Sequence, residues 1–231
     1  MPDPSLFRLR ATFCKQGRLA LLSHLEVARA LERAVRRAGL PFAVSRGFSP
    51  HMKISFGSAL PVGVGGTGEL FDLQMTRYVP PETVLEALQK ASVPDLMVKS
   101  CAYIEPHAPA ASAAYPLSTY RALLSRAVRA LSVPETVTVV RKRKEKELSV
   151  AEFLVGEPEL SGAVLTFSLE SKPTGSLRPD VLLRACLDEA DDLPLLLFVE
   201  NASPSSVEGD APTAPLRALS VTRISQASRA E

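Results

Sequence analysis

The sequence predicts an α+β fold, and three observations predict it. Several segments alternate apolar and polar residues with period two, which marks half-buried strands. Two amphipathic helical stretches lie between such segments. Over residues 1–104 the elements run β-α-β-β-α-β, the split βαβ unit of ferredoxin-like proteins. A looser echo of the same pattern follows residues 105–114, so two tandem related domains are expected.

Each element has its own local reason. Phe7, Leu9, Ala11 and Phe13 alternate with Arg8, Arg10 and Thr12, a strand. Lys15-Gln16-Gly17 turns the chain. Ser23 is a good helix N-cap, and Glu26 three residues on completes a capping box. The helix should run to Ala38, where Gly39 ends it and Pro41 prevents continuation. Val27, Ala28, Leu31, Ala34, Val35 and Ala38 form one stripe, with Arg29, Arg33, Arg36 and Arg37 on the opposite side. Ile54, Phe56 and Leu60 mark a second strand, and Phe71, Leu73 and Met75 a third. Pro80-Pro81-Glu82 opens a second helix, and residues 96–103 read as a fourth strand.

Residues 105–114, with Pro106, Pro109 and several alanines, read as a linker. The second domain spans 115–231. Residues 115–131 fit a strand, a helix, or a short strand followed by a helix. Strands are expected over 136–140, 164–169, 195–199 and 219–224, with a helix entered at Pro179. Residues 203–215, rich in Ser, Pro and Gly, read as a mobile loop, and the tail after Ser225 as frayed.

Composition narrows the function classes. The chain has 231 residues, 46% apolar and 23% charged, with 19 prolines against 12 glycines. The longest apolar run, 193–199, is far short of a membrane span, and the first residues lack the pattern of a secretory signal. A cytoplasmic protein with no membrane partner is expected. Cys14, Cys101 and Cys186 are scattered and odd in number, which predicts free thiols rather than a disulfide framework or a CxxC knuckle.

The formal net charge is only +2, but it is unevenly spread. Residues 1–60 hold ten basic and three acidic side chains, a balance of +7. Such clustering attracts phosphate backbones or acidic protein surfaces. A second basic knot, residues 141–144, fits a solvated hairpin tip.

The loop Ser45-Arg46-Gly47-Phe48-Ser49-Pro50-His51-Met52-Lys53 carries the main functional signal. Glycine and proline bracket an aromatic, and Arg46, His51 and Lys53 stand close by, a pattern suited to holding anions. Gly63, Gly65, Gly66 and Gly68 follow, but neither as a dinucleotide fingerprint nor as a P-loop; a flexible hairpin and a binding loop are both open. His24, at the helix start, could meet His51 and Glu69 as an acid/base set. No metal or cofactor is expected. Cys14, ending a strand, reads as a core thiol. Hydrolase, metalloprotease and kinase motifs are missing, as is the CxxxCxxC cluster pattern.

Leu22-Ser23-His24-Leu25-Glu26, Ala38-Gly39-Leu40-Pro41, the 45–56 segment and Leu60-Pro61-Val62-Gly63 resemble the signature of the radical-SAM-linked (radical-SAM-associated) bacterial proteins, a family of unknown function. The match is dense over residues 8–73, with weaker marks at Leu177-Arg178-Pro179-Asp180 and Val221-Thr222-Arg223. Ser49, Met52 and Glu26 stand where the family usually has Asn, Pro and Asp. The resemblance implies a separately encoded radical SAM protein as partner.

Three functions are therefore open. The first is an accessory RNA-binding module that serves a radical SAM partner in RNA or ribosome-related modification. In it Arg29, Arg33, Arg36, Arg37, Arg46 and Lys53 contact phosphates and Phe48 stacks on a base; a merely solvated helix face and a buried Phe48 are equally open. The second is a stand-alone enzyme using His24, His51 and Glu69 on RNA or a phosphorylated metabolite. The third is a protein-interaction adaptor whose basic face meets an acidic partner without RNA.

Overall fold

The computed structural model describes residues 7–141, 144–187 and 216–229. The chain is α+β and divides into two compact units: Met1–Val62 with Gly66–Tyr115, and Gly63–Gly65 with Pro116–Glu231. Among the described residues no helix is long and apolar enough to cross a membrane.

The first unit runs β1 (Arg8–Lys15), α1 (His24–Arg37), β2 (Ile54–Phe56), β3 (Val64–Gln74), α2 (Pro81–Ala91) and β4 (Val98–Tyr103). Within it the strands stand in the order β4-β1-β3-β2, each antiparallel to its neighbour. Leu9 faces Leu73 and Ala11 faces Phe71 across β1 and β3, so one side of the sheet is continuously apolar. Both helices cover that side. Val27, Leu31 and Val35 of α1 and Val84 and Leu88 of α2 join these strand residues in one buried cluster. Each such side chain contributes about 1.5–3 kcal/mol on burial. The period-two register then leaves Arg8, Arg10, Ser55, Asp72 and Gln74 on the other, open side.

The α1 signals act as read. The Ser23 hydroxyl accepts the Glu26 amide, and the Glu26 carboxylate accepts the Ser23 amide at 2.8 Å. Gly39, at φ +65, ends the helix. Two readings need correction. β2 has only three residues, and Leu60 lies outside it in the following turn. The glycine-rich run is neither a flexible hairpin nor a loop: β3 begins at Val64 and passes through Gly65, Gly66 and Gly68. At Gly66 the reason is steric. A Cβ there would fall 2.3 Å from a Glu69 carboxylate oxygen, so the bare backbone is what lets Glu69 fold over it.

Residues 105–115 count with the first unit. They include a single helical turn, α3 (Ala111–Ala114), and two of their carbonyls are held by arginines of β1.

The second unit contains β5 (Leu117–Leu124), β6 (Thr136–Arg141), β7 (Lys144–Ser149), β8 (Leu154–Ser161), β9 (Val164–Glu170), α4 (Pro179–Cys186) and β10 (Ala218–Ala227). Its sheet order is β10-β5-β9-β8, antiparallel throughout, and β6 pairs with β7 as a separate hairpin. In the ambiguous 115–131 stretch, Leu117–Leu124 form the strand β5, and 125–131 carry no regular element. Tyr120 stacks on Phe167 with ring centroids 5.5 Å apart, and Leu124, Leu165 and Leu183 are buried. β6 ends at Arg141 and β7 begins at Lys144, which brackets the basic knot; Lys142 and Arg143 lie outside the described residues. The strand expected at 195–199 and the loop at 203–215 also lie outside them. Residues 225–229 are more ordered than expected: β10 reaches Ala227 and Arg229 pairs with Glu170 at 2.6 Å.

Candidate functional site

The segment between α1 and β2 is a hairpin arm with a fixed foot and a solvated tip. At the foot, the Ala43 amide donates to Gln74 O at 2.7 Å and the Gln74 amide to Lys53 O at 3.0 Å. The Lys53 amide closes the arm on Ala43 O at 2.8 Å. One step out, Val44 pairs with Met52, and the Ser45 amide donates to His51 O at 2.8 Å. The Ser45 hydroxyl accepts the His51 amide at 3.0 Å. Leu40, Ala43 and Met52 are buried and anchor the stem. At the tip Gly47 adopts φ +154, a conformation that residues with side chains rarely take.

Phe48 is 107% exposed, as open to water as in an isolated peptide, so the sequence's other option, a buried Phe48, is removed. Arg46 and His51 beside it are also exposed. Lys53, at the foot, opens onto the sheet side that the helices leave bare, beside Arg8, Ser55 and Gln74.

The four arginines of α1 are exposed on the outer face of the helix. Arg36 lies over the Phe42 ring, 5.1 Å from its centroid, and Arg37 donates to Ala91 O at 2.6 Å, tying α1 to the end of α2. Arg29 interacts electrostatically with Glu26, and Arg33 makes no hydrogen bond or ion pair among the described residues. The helix row and Lys53 therefore point away from each other across the sheet, while the arm projects from its β2 edge.

Arg8 and Arg10, which sequence reasoning treated only as the polar side of a strand, are structural. Both engage Asp72, whose side chain is 2% exposed, at 2.7 Å each. The Asp72 hydrogen bond holds the Arg10 guanidinium above its usual pKa. The same two arginines donate to Ala108 O and Pro109 O, and Arg10 lies 5.5 Å from the Tyr115 ring centroid. The signal that could have found this is the facing of Arg10 and Asp72 once β1 and β3 are set in register.

The acid/base set comes together only in part. His24 and Glu69 line one small cleft of about 20 Å³ with Lys15, Phe56 and Ser58. His24 meets the edge of Phe56 at 5.5 Å. Glu69 and Lys15 are buried. His51 belongs to the arm and is not part of the cleft lining. Among the described residues no group of three or more His, Cys, Asp or Glu side chains gathers at metal-binding separation. The three thiols are free. Cys14 is buried; burial raises the Cys101 thiol and pushes that of Cys186 up to about 11.

A family model described as an uncharacterized protein conserved in bacteria (DUF2344) matches residues 8–179. No curated protein matches the chain.

Proposed function

The chain belongs to DUF2344, a family of uncharacterized proteins conserved in bacteria, and from that premise we propose that it is an accessory protein that binds single-stranded RNA through its hairpin arm. The carrying observation is Phe48, fully exposed at the end of a stem fixed by backbone hydrogen bonds and flanked by Arg46 and His51. An aromatic face offered this way suits an unpaired base, whose stacking is worth about 1–3 kcal/mol. Unpaired loops are where RNA exposes its bases, and nearby cations hold the backbone. The arginine row of α1 adds a positive field that draws the strand in.

The resemblance of the amino-terminal motifs supports a separately encoded radical SAM protein as the enzyme that acts on the bound RNA. The β4-β1-β3-β2 order with both helices on one side supports a ferredoxin-like reading of the first unit. The stand-alone enzyme has less support, since its cleft is small and His51 stands outside it.

Fluorescence anisotropy of a labelled single-stranded oligoribonucleotide across a salt series tests the reading. Phe48→Ala should weaken binding about 5- to 150-fold, the equivalent of one lost stack. Its fold should hold within about 0.5 kcal/mol, because the side chain touches no core. RNA affinity that is absent at low salt, or indifferent to Phe48→Ala, overturns the proposal. Salt-labile capture of an acidic partner chain after nuclease treatment would then favour the adaptor.

A further inference from the structure

We propose that the open side of the first unit's sheet carries a phosphate subsite at the foot of the arm, and that it takes a backbone phosphate of the same RNA strand. This rests on the RNA reading above and adds a second contact point to it.

Strand alternation builds the site. Ser55 of β2 stands beside Asp72 of β3, which stands beside Arg10 of β1; Gln74 stands beside Arg8 in the next row. Arg8, Ser55, Asp72 and Gln74 of these rows, with Lys53 and with His107 from the 105–115 segment, line an open basin of about 440 Å³. That lies within the ~300–1,000 Å³ range of small-ligand sites.

The charge is what makes the basin an anion site. Its one carboxylate, Asp72, accepts three hydrogen bonds from Arg8 and Arg10 and is spent on them. Among the lining side chains, Arg8 and Lys53 against that single carboxylate leave a local surplus of +1, and Arg10, also paired to Asp72, adds to the positive field from outside the lining. The Lys53 amine, the Ser55 hydroxyl and the His107 ring make no side-chain hydrogen bond or ion pair among the described residues, so their donors face the basin unspent. A phosphate there meets an ammonium, a hydroxyl and an imidazole, with a rigid guanidinium–carboxylate frame behind them. Lys53 is five residues from Phe48, a span of at most about 18 Å. One strand a few nucleotides long can touch both.

Two measurements on the full chain test the subsite. In the first, inorganic phosphate is titrated while amide resonances are followed by NMR; shifts centred on Lys53, Ser55 and His107, lost in Lys53→Gln, are expected. In the second, RNA anisotropy is compared for wild type, Lys53→Gln, Lys53→Arg and Phe48→Ala. Lys53→Gln should weaken RNA binding about two- to fivefold. It should also flatten the plot of log affinity against log salt by about 0.7, one phosphate contact on a single strand. Lys53→Arg should restore both. RNA binding that depends on Phe48 but ignores Lys53→Gln overturns the subsite and leaves the RNA reading standing. Phosphate-induced shifts without any RNA binding overturn RNA as the source and leave a site for a free phosphorylated metabolite. If phosphate induces no shifts and Lys53→Gln has no effect on RNA binding, the subsite is overturned outright.

Discussion

Replacing Asp72 with alanine tests the frame on which the open side of the sheet is built. The Asp72 side chain is 2% exposed and accepts three hydrogen bonds at 2.7–2.9 Å. Its two partners, Arg8 and Arg10, have side chains only 18% and 11% exposed. Asp72→Ala therefore strands two guanidinium groups in a largely dry site. Breaking a buried pair of this kind costs about 3–5 kcal/mol, and with two orphaned cations the upper half of that range is expected. Urea denaturation reads the effect. The chain has no Trp, but Tyr103 and Tyr115 provide fluorescence from the first unit. At an m-value of about 1.5 kcal/mol per molar, the midpoint should fall by about 3 M. The arginines also hold the Ala108 and Pro109 carbonyls, so amide exchange over residues 105–115 should accelerate well below the global transition. The combined variant Arg8→Met, Arg10→Met, Asp72→Leu should return to within about 1 kcal/mol of wild type, since apolar replacements of buried ion pairs are often neutral. A loss below about 1 kcal/mol for Asp72→Ala would refute the view that this carboxylate is what keeps the arginines in place.

Other outcomes follow from single contacts. Ser23→Ala removes the α1 cap and should cost about 1 kcal/mol in thermal or urea unfolding, with Ser23→Asp keeping most of it. The Ser23 hydroxyl, and after it the Ser23 amide, holds the Glu26 carboxyl below its ordinary pKa. Its contribution is thus complete above the ordinary carboxylate range and disappears as pH falls through the lowered value. Glu26→Gln should remove that acid-side slope from the melting of α1 followed by circular dichroism. Gly66→Ala drives a Cβ into the buried Glu69 carboxylate and should cost about 1–3 kcal/mol. Glu69→Ala in the same chain should relieve part of it, so a strictly additive double variant contradicts the clash. Iodoacetamide at pH 8 should label the native thiols slowly: Cys186, pushed up to about 11, is only about 0.1% thiolate there, and Cys14 is buried. Rapid labelling of any one cysteine in native protein would be inconsistent with this.

What the sequence made legible was local. The cap at Ser23, the stop at Gly39 and the Val27–Leu31–Val35 stripe each act over one or two helical turns, and all three appear where expected. The first half of β3 was hidden because glycine has little strand preference; what Gly66 accommodates is the carboxylate of Glu69, packed back onto it. β2 was overestimated at its far end: after Phe56 the Gly57 amide makes one more bond, to Leu70 O, the strand stops, and Leu60 is buried from an irregular stretch rather than from the ladder. The Arg8, Arg10 and Asp72 cluster joins positions 62 and 64 residues apart, and periodicity cannot set that register. The same holds for the basin, whose His107 comes from a stretch that reads as a linker. In the second unit, 115–131 fitted a strand, a helix, or a short strand followed by a helix until Tyr120 could be set against Phe167. For Phe48 the sequence offered burial and exposure alike. Residue type and neighbours named it as a candidate, but only the three-dimensional path of the arm puts it in water.

The arm's division into an anchored stem and an unburied tip has a further consequence. Residues 46–50 add nothing to the core, whereas Ala43, Met52 and the bonds to Gln74 fix where those residues are displayed. Apart from Gly47, whose φ of +154 disfavours residues with side chains, the tip can drift or be re-engineered without a stability penalty, as in a loop library on a rigid scaffold. If the tip binds RNA as proposed, a relative with another ring or charge at position 48 would be choosing a different cargo on the same handle.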